Sequence, residues 1–503
     1  MDVLSHLALG FGVALTLKNL AYCFMGVLLG TLIGVLPGVG PLVTIAMLLP
    51  ITFGLDPVSS LIMLAGIFYG AQYGGSTTAI LVNMPGEASS AVTAIDGYQM
   101  ARQGRAGPAL ATAAVSSFVA GTLSTLVVAF FGPLVGRWAL EFGAAEYFSL
   151  MLMGLVFSAV LAHGDLIKSL AMVAVGLMLG LVGTDVTSGL PRFSFGMSEL
   201  LDGVGFTVVA VGLFAVAEIV QNVAKDEKVE VFSTDVKNLM PTLTDMKAAA
   251  GPTLRGTVLG SFFGALPGLT ASVASFSAYM LEKKLARDPS RFGRGAIEGV
   301  AAPEAANNAA AQTHFIPTLT LGIPATAVMA LMLGALTMQG IQPGPEVMTS
   351  KPELFWGLVA SMFVGNALLL LLNLPLVGLW ARLTQVPYRW LFPAIMMFAA
   401  LGNYSLNNSA MDVYLCAAMG VLGYVMLKLE CHPAPLILGF VLGPMLEENL
   451  RRALLMSDGS FSVFVERPIS LVFLIVTSLL FAAMVRPSLR RGKSQLTVEN
   501  DAA

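Results

Sequence analysis

Long apolar segments without charge alternate with short polar stretches along most of this chain. The apolar segments run 15 to 28 residues and contain almost no Asp, Glu, Lys or Arg. About 20 apolar residues make a helix that crosses a bilayer, whereas the strands of a membrane barrel are about half as long and alternate in polarity. The pattern therefore predicts an all-α polytopic membrane protein with about 12 membrane segments.

Composition supports this prediction and excludes several other classes. The 503 residues are 56% hydrophobic and 11% charged, whereas ordinary soluble domains carry about 25% charged residues. The net charge of −3 and the lack of a basic patch with interleaved aromatics argue against nucleic-acid binding. Cys23, Cys416 and Cys431 form neither a disulfide framework nor a CxxC pair. The first basic residue is Lys18, so we expect a retained first membrane helix rather than a cleaved signal peptide.

Two pairs of Pro-Gly breakers interrupt the apolar segments at matching places in the two halves of the chain. GVLPGVGPLV around Pro37 resembles GALPGLTASV around Pro267, which lies 230 residues further on. NMPGEA around Pro85 resembles GIPATA around Pro324, which lies 239 residues further on. Such spacing is typical of an internal repeat, with broken helices or re-entrant hairpins at the breakers.

The placement of basic loops predicts that the two repeats have opposite orientation. Lys and Arg mark cytoplasmic loops, and the clearest are EKKLARDPSRFGR at 282–294 and RPSLRRGK at 486–493. The loop after the first breaker is basic only in the second half, and the loop after the second breaker, with Arg102 and Arg105, only in the first. Two inverted-topology repeats explain this exchange, and chance similarity of Gly/Pro-rich helices is the alternative.

Counting crossings from these loops gives a domain organisation with the C-terminus in the cytoplasm. The count places the loop 447–467 outside although it contains three arginines. We expect a first membrane repeat at 1–221 and a cytoplasmic connecting loop at 222–252. A second membrane repeat follows at 253–485, and a polar cytoplasmic tail at 486–503.

The breakers predict a binding site near the middle of the bilayer. A broken membrane helix leaves free N–H groups, which attract anions, and paired breaks in inverted halves are typical of transporter sites. Uncharged polar residues cluster beside both second breakers, although such residues also join helices in lipid. The predicted substrate-binding residues are Gly38, Gly40, Gly75, Ser76, Thr77, Thr78, Asn83, Pro85, Gly86, Gly268, Asn307, Asn308, Gln312, Thr313, His314 and Pro324.

Three residues are candidates for binding a coupling cation, Na⁺ or H⁺: Asn83, Glu304 and Asn308. An acidic residue inside the membrane is costly, so Glu304 either carries a coupling proton or lies at the mouth of a helix. His314 fits a hydrogen-bonded packing residue or a proton relay. We expect no metal site, no cofactor beyond the coupling ion and no catalytic residues.

Three stretches resemble the large membrane subunit of the tripartite tricarboxylate transporter family. They are GVLPGVGPLVTIAMLLPITFGLDP, GIFYGAQYGGSTTAILVNMPGEASSAVTAIDGYQMARQGRAGPAL and APEAANNAAAQTHFIPTLTLGIPATAVMALMLGAL. The similarity spans nearly the whole chain and fades in the tail. It implies a permease that works with a small membrane subunit of about four helices and a periplasmic solute-binding protein.

The resemblance implies a function that agrees with the residues. It implies secondary, cation-coupled uptake of a tri- or dicarboxylate such as citrate across the bacterial inner membrane, by a multi-pass protein. The alternatives are a solute channel and a transporter of a non-carboxylate. Both breaker-bearing hairpins are expected to move past a scaffold in an elevator-like cycle, with a rocking motion as the second hypothesis.

Enzymatic function is not expected. No GxxxxGK[ST] phosphate loop and no HExxH motif occur, and intramembrane Asp is nearly lacking. A Ser76–His314 dyad can be drawn, but no third residue in the sequence orients it.

Overall fold

The computed structural model of the protein is almost entirely helical. It describes residues 3–36, 39–161, 165–185, 188–223, 239–267, 269–383 and 388–482. The predicted breaker residues Pro37, Gly38 and Gly268 and the tail 486–503 lie outside the described residues, as does much of the connecting loop.

The elements follow one another in this order along the described chain: α1 (Val3–Ala14), α2 (Leu17–Gly34), α3 (Pro41–Phe53), α4 (Pro57–Val82), α5 (Ala91–Arg102), α6 (Ala106–Ala139), α7 (Ala144–Leu161), α8 (Leu166–Gly180), β1 (Gly183–Thr184), β2 (Pro191–Arg192), a 3-10 turn (Ser198–Leu200), α9 (Phe206–Ala210), a π-helical segment (Val211–Val216), α10 (Ala217–Val223), α11 (Leu243–Gly264), α12 (Ala271–Leu285), a 3-10 turn (Pro289–Arg291), α13 (Glu298–Thr313), α14 (Phe315–Thr320), α15 (Ala327–Met338), α16 (Glu346–Ser350), α17 (Pro352–Asn373), α18 (Val377–Leu383), α19 (Tyr388–Asn407), α20 (Ala410–Lys428), α21 (Pro433–Met456), α22 (Val463–Glu466) and α23 (Pro468–Ala482).

The chain forms two compact units. The first comprises Met1–Ala139 and Thr207–Tyr424, and the second comprises Leu140–Phe206 and Val425–Ala503. Within the second unit, α8 packs closely on α21, and β1 pairs with β2 as a two-residue antiparallel ladder. An ion pair between Arg467 and the buried Glu146, 3.3 Å, joins α7 to the segment before α23.

Within the first unit, one order of helices and breaks occurs twice. In the first half, the breaks separate α2 from α3 and α4 from α5, and α6 follows. In the second half, they separate α11 from α12 and α14 from α15, and α17 follows after the short α16. The breakers Pro85, Pro267 and Pro324 therefore lie between helices, and Pro37 lies outside the described residues. The opposite orientation of the halves and the number of membrane segments stay predictions.

In each half, a row of glycines packs the helix before the first break closely against a later helix, α2 against α4 and α11 against α13. We call each row a glycine seam. A Cβ added to any glycine of either seam would lie 2.3 to 2.5 Å from a backbone carbonyl oxygen of the partner helix. Only glycine permits this approach, which is the packing typical of membrane helices. The seam of α2 against α4 contains Gly26, Gly30 and Gly34, and that of α11 against α13 contains Gly256, Gly260 and Gly264.

Four helices in the described part of the chain are long and apolar enough to cross a bilayer, namely α2, α6, α17 and α20. Seven apolar helices or helical stretches of 10–17 residues accompany them there. The helix α11 begins at Leu243, inside the stretch assigned to the connecting loop, because Thr242 and Asp245 form a reciprocal capping box.

Candidate functional site

The break between α4 and α5 contacts the break between α2 and α3 through glycines. Asn83 ends α4 in the left-handed conformation, with φ of 56°, which asparagine tolerates better than most residues. A Cβ on Gly86 would lie 2.7 Å from the Cα atom of Gly75, and one on Gly40 would lie 2.7 Å from the Gly86 carbonyl oxygen. Gly40, Gly75 and Gly86 are thus brought together, as the sequence predicts, whereas the side chain of Asn83 is exposed.

The two breaks of the first half leave helix starts that no side chain caps. Gly40, which precedes α3, has no side chain, and the hydroxyl group of Ser90, which precedes α5, accepts no hydrogen bond from a backbone N–H group of its helix. In the second half, by contrast, the hydroxyl groups of Thr270 and Thr326 cap α12 and α15. The first-half breaks therefore keep free N–H groups, which bind anions.

The polar residues predicted on α13 are all buried. The Asn307 side chain reaches the first half and donates from Nδ2 to Oε1 of Glu87, 2.9 Å away. Asn308 Nδ2 donates to Ser117 Oγ, 2.7 Å, and to the Glu304 carbonyl oxygen, 3.0 Å. Side chains of the two sequence halves thus meet between the α4–α5 break and α13.

Glu304 lies at the centre of this contact, only 1% exposed. Its carboxylate accepts hydrogen bonds from Thr93 Oγ1 at 2.5 Å, Ser76 Oγ at 2.9 Å and Ser117 Oγ at 3.2 Å. We call these three groups the hydroxyl cage. Glu304 is thus buried among the helices, and its role as a coupling residue stays a prediction.

A pocket borders Glu304 on the side of α4 and α6. Its empty volume is about 350 Å³, including space open to solvent, and Tyr73, Ser76, Thr77 and Ser117 line it with apolar residues and Asn373. The Tyr73 hydroxyl donates to the Ala114 carbonyl oxygen, 3.3 Å away. The pocket thus reaches Glu304 between polar and apolar side chains.

Several predicted site residues form hydrogen bonds within their own helix or lie away from the hydroxyl cage. The hydroxyl groups of Thr78 and Thr313 donate to backbone oxygens of their own helices. Gln312 Nε2 contacts Asn366 Oδ1 at 3.5 Å, and His314 Nε2 lies 3.1 Å from the Leu269 carbonyl oxygen in the α11–α12 break. Pro324 is buried within its break, and Pro85 is exposed.

Buried polar atoms without a hydrogen-bond partner remain on these helices. They belong to side chains of α4, α13, α17 and the residue between α13 and α14, and they are Tyr69 OH, Gln72 Oε1, Asn307 Oδ1, Gln312 Oε1, His314 Nδ1 and Asn366 Nδ2. Unpaired buried polar groups are unfavourable, so this donor and acceptor capacity is available to a ligand or water.

The sequence interpretation missed Glu87, Thr93, Ser117 and Tyr73. Glu87 directly follows Pro85 and Gly86, so an acidic residue at a breaker was the available signal. No signal in the sequence marks the hydroxyl residues, because serine and threonine are common in apolar helices. The partner of Thr93 and Ser117, Glu304, also lies 187 to 211 positions away.

A second buried carboxylate, Asp96, anchors the loop before α13. Asp96 Oδ1 accepts from the backbone N–H groups of Gly293, Gly295 and Ala296 at 2.8 to 2.9 Å, and Oδ2 accepts from Tyr279 OH at 2.9 Å. Four fixed donors satisfy this charge, so Asp96 positions the start of α13.

Among the lysine and arginine residues whose burial the structure describes, which leaves out Arg389, none has a buried side chain. An anion that enters the site therefore meets N–H groups, hydroxyls and amides, without a basic partner among these residues. The acidic Glu87 and Glu304 add negative charge instead.

Comparisons with known proteins identify the family. Residues 20–438 match the model of the tripartite tricarboxylate transporter TctA family. An uncharacterized 52.8 kDa protein in the TAR-I ttuC' 3' region of Agrobacterium vitis is 57% identical over 501 residues, 100% of each chain. An uncharacterized protein in the TAR-II ttuC' 3' region of the same organism is 56% identical over 242 residues, 48% of this chain and 100% of that one. No solved structure matches. The chain therefore belongs to the tripartite tricarboxylate transporter TctA family.

Proposed function

We propose that this protein is the large permease subunit of a binding-protein-dependent tripartite system for cation-coupled carboxylate uptake. The family match supports a tricarboxylate transporter permease. We further propose a bacterial inner-membrane location, a cytoplasmic C-terminus, a small membrane subunit and a periplasmic binding protein as partners. The substrate is a di- or tricarboxylate, with citrate as the first candidate.

We place the substrate at the first-half breaks where they meet α13. The observation that carries this assignment is the hydrogen bond between Glu87 in the α4–α5 break and Asn307 on α13, 2.9 Å, beside the uncapped start of α5. Free N–H groups at a helix start bind carboxylate oxygens, and amide side chains complete the recognition. The Thr-capped breaks of the second half have fewer free donors for this purpose.

A coupling cation has a physical role at such a site. A substrate carboxylate brought near Glu87 and Glu304 experiences repulsion, which grows as the local dielectric constant falls. Because none of the lysine and arginine residues of described burial is buried beside these carboxylates to offset it, binding requires positive charge from H⁺ or Na⁺. Binding of anion and cation is then linked, which is the thermodynamic condition for coupled transport.

Uptake into proteoliposomes tests the proposal. The chain would be reconstituted with its small subunit and binding protein, and uptake of radiolabelled citrate and of a panel of other carboxylates measured under separate inward Na⁺ and H⁺ gradients. Asn307→Ala and Gly86→Ala should abolish uptake, because the first removes the partner of Glu87 and the second forces a Cβ to within 2.7 Å of Gly75.

Matched controls separate site effects from general damage. Asn449→Ala removes an amide that bonds only within its own helix, and Gly54→Ala adds a Cβ with nothing within 4 Å. Both controls should transport like the parent. Wild-type uptake by Asn307→Ala and Gly86→Ala would disprove the site, and uptake of no carboxylate by the complete folded system would disprove the substrate class. Non-saturable flux without a gradient requirement would indicate a channel.

A further inference from the structure

The hydroxyl cage differs from a cation site built for a metal or for a basic side chain. None of the ion pairs in the described part of the chain includes Glu304, and its three side-chain partners are all hydroxyl groups. A hydroxyl group can donate or accept a hydrogen bond as its O–H rotates. The cage can therefore surround a carboxylate or a carboxylic acid.

The structure provides hydrogen-bond partners for both protonation states. As a carboxylate, Glu304 accepts at Oε1 from Thr93 and at Oε2 from Ser76 and Ser117. As an acid protonated at Oε2, it donates to Ser76 Oγ, and the Ser76 hydroxyl then turns to the Gln72 carbonyl oxygen, 3.3 Å away. Ser117 keeps its place in either state, because Asn308 Nδ2 donates to its Oγ at 2.7 Å.

The charges around Glu304 favour uptake of a proton. On α4, Tyr73 lines the same pocket, and in the α4–α5 break the acidic Glu87 acts on Glu304 through space. Several other titratable groups on the packed helices are already paired, since Tyr279 on α12 binds Asp96 on α5, Arg255 on α11 binds Glu282 on α12, and Glu298 on α13 binds Arg291, whereas the Tyr69 hydroxyl group on α4 has no hydrogen-bond partner. Repulsion from Glu87 is thus the main charge interaction with Glu304, and a proton removes it.

We propose that Glu304 binds the coupling proton and that Ser76 is the hydroxyl group that turns when the proton arrives or leaves. The proton comes from water in the adjoining pocket, forms an O–H bond at Oε2, and returns to water on the other side of the membrane after transport. Glu304 then has no net charge while the anionic substrate is bound. The coupling role rests on the proposed transport function, whereas proton binding itself does not.

Infrared difference spectroscopy of the reconstituted chain tests proton binding without any substrate. Lowering the pH at constant Na⁺ should produce the carbonyl stretching band of a protonated carboxylic acid that is absent from Glu304→Gln. The matched control Glu298→Gln makes the same change on the same helix, six residues earlier, and should retain the band. Ser76→Ala should keep the band but move the pH at which it appears, because the turning hydroxyl is gone.

The outcomes separate proton binding from transport. A band lost in Glu304→Gln and kept in Glu298→Gln supports the proposal. Identical spectra for the parent and Glu304→Gln would overturn it, and so would loss of the band on adding Na⁺ at fixed pH, which would indicate a sodium site.

A second readout tests coupling. A pH-sensitive dye inside the liposomes should report proton entry with substrate in the parent and none in Glu304→Gln, which should still exchange substrate across the membrane. Proton entry with substrate in Glu304→Gln would overturn the coupling role. Absence of carboxylate uptake by the complete system would remove the proposed function while the infrared result for proton binding stood.

Discussion

Asp96 and Glu304 are both buried carboxylates in the first unit, yet different kinds of donor satisfy them. Asp96 accepts from three backbone N–H groups and one tyrosine, whereas Glu304 accepts from three serine and threonine hydroxyl groups. Backbone N–H groups only donate, so they match carboxylate oxygens and cannot accept from a carboxylic acid. Hydroxyl groups donate or accept, so they permit Glu304 to change its charge. The type of hydrogen-bond donor, rather than the degree of burial, distinguishes a carboxylate that stabilises the fold from one that can bind and release a proton.

The largest expected effect is that of Asp96→Ala on stability. The substitution leaves the N–H groups of Gly293, Gly295 and Ala296 without their acceptor, which should lower the free energy of unfolding by about 3 kcal/mol. Chemical unfolding in detergent followed by circular dichroism measures it. Asp202→Ala, at an exposed position, should change stability by less than about 0.5 kcal/mol. Equal stability of the two variants would contradict the anchoring role of Asp96.

Gly299→Ala should disturb the same anchor without altering the carboxylate. A Cβ at this position would lie 2.2 Å from Asp96 Oδ2, and overpacking of this kind costs about 1–3 kcal/mol. Gly12→Ala is the matched control, because a Cβ there meets nothing within 4 Å and alanine favours the helix. Thermal unfolding should show a lower Tm for the first variant and an unchanged or higher Tm for the second. If the Tm changed in the same direction in both variants, the Asp96 side chain would have room to move away from the added methyl group.

Glu304→Gln should leave stability within about 1 kcal/mol of the parent, because hydroxyl groups can donate to the amide oxygen and accept from the amide nitrogen. Its proton-coupled uptake should nevertheless be lost. Unfolding curves and gradient-driven uptake measured on the same preparations check both statements. A loss of stability as large as that of Asp96→Ala would mean that Glu304 is a structural carboxylate too.

The smallest effects on proton binding should come from removing one side-chain donor at each carboxylate. Tyr279→Phe and Thr93→Val each delete one hydrogen bond to a charged group and should cost about 1–2 kcal/mol. The infrared titration separates them, since only Thr93→Val should move the pH at which the carboxylic acid band appears. A shift in both variants, or in neither, would remove the distinction between the two sites.

Much of the fold could be predicted from the sequence because the relevant forces act locally. The apolar runs, the breakers at Pro85 and Pro324 and the glycine spacing on α2 each depend on a few neighbouring residues. The structure has helix breaks at both positions, and Gly26, Gly30 and Gly34 contact α4. The start of α11 at Leu243 was missed, since the capping box of Thr242 lies in a polar stretch that resembles a loop.

The candidate site could be predicted only in part. Ser76, Asn307, Asn308 and Glu304 stand beside the breakers in the sequence, and the structure brings all four to one place. Thr78 and Thr313 stand there too, but they bond to their own helices. Position along the chain fixes proximity to a breaker, whereas the direction in which each residue of a buried helix points depends on how the helices pack.

The sequence by itself determined that the chain forms apolar helices, where the helices break, and the family to which it belongs. These properties follow from hydrophobicity, from the missing N–H group of proline and from runs of residues read in order. Only the tertiary structure decided that Thr93 and Ser117 surround Glu304 and that backbone N–H groups hold Asp96. Hydrogen bonds between residues about 200 positions apart form only when helix packing removes water from the groups and brings them within 3 Å or so of each other.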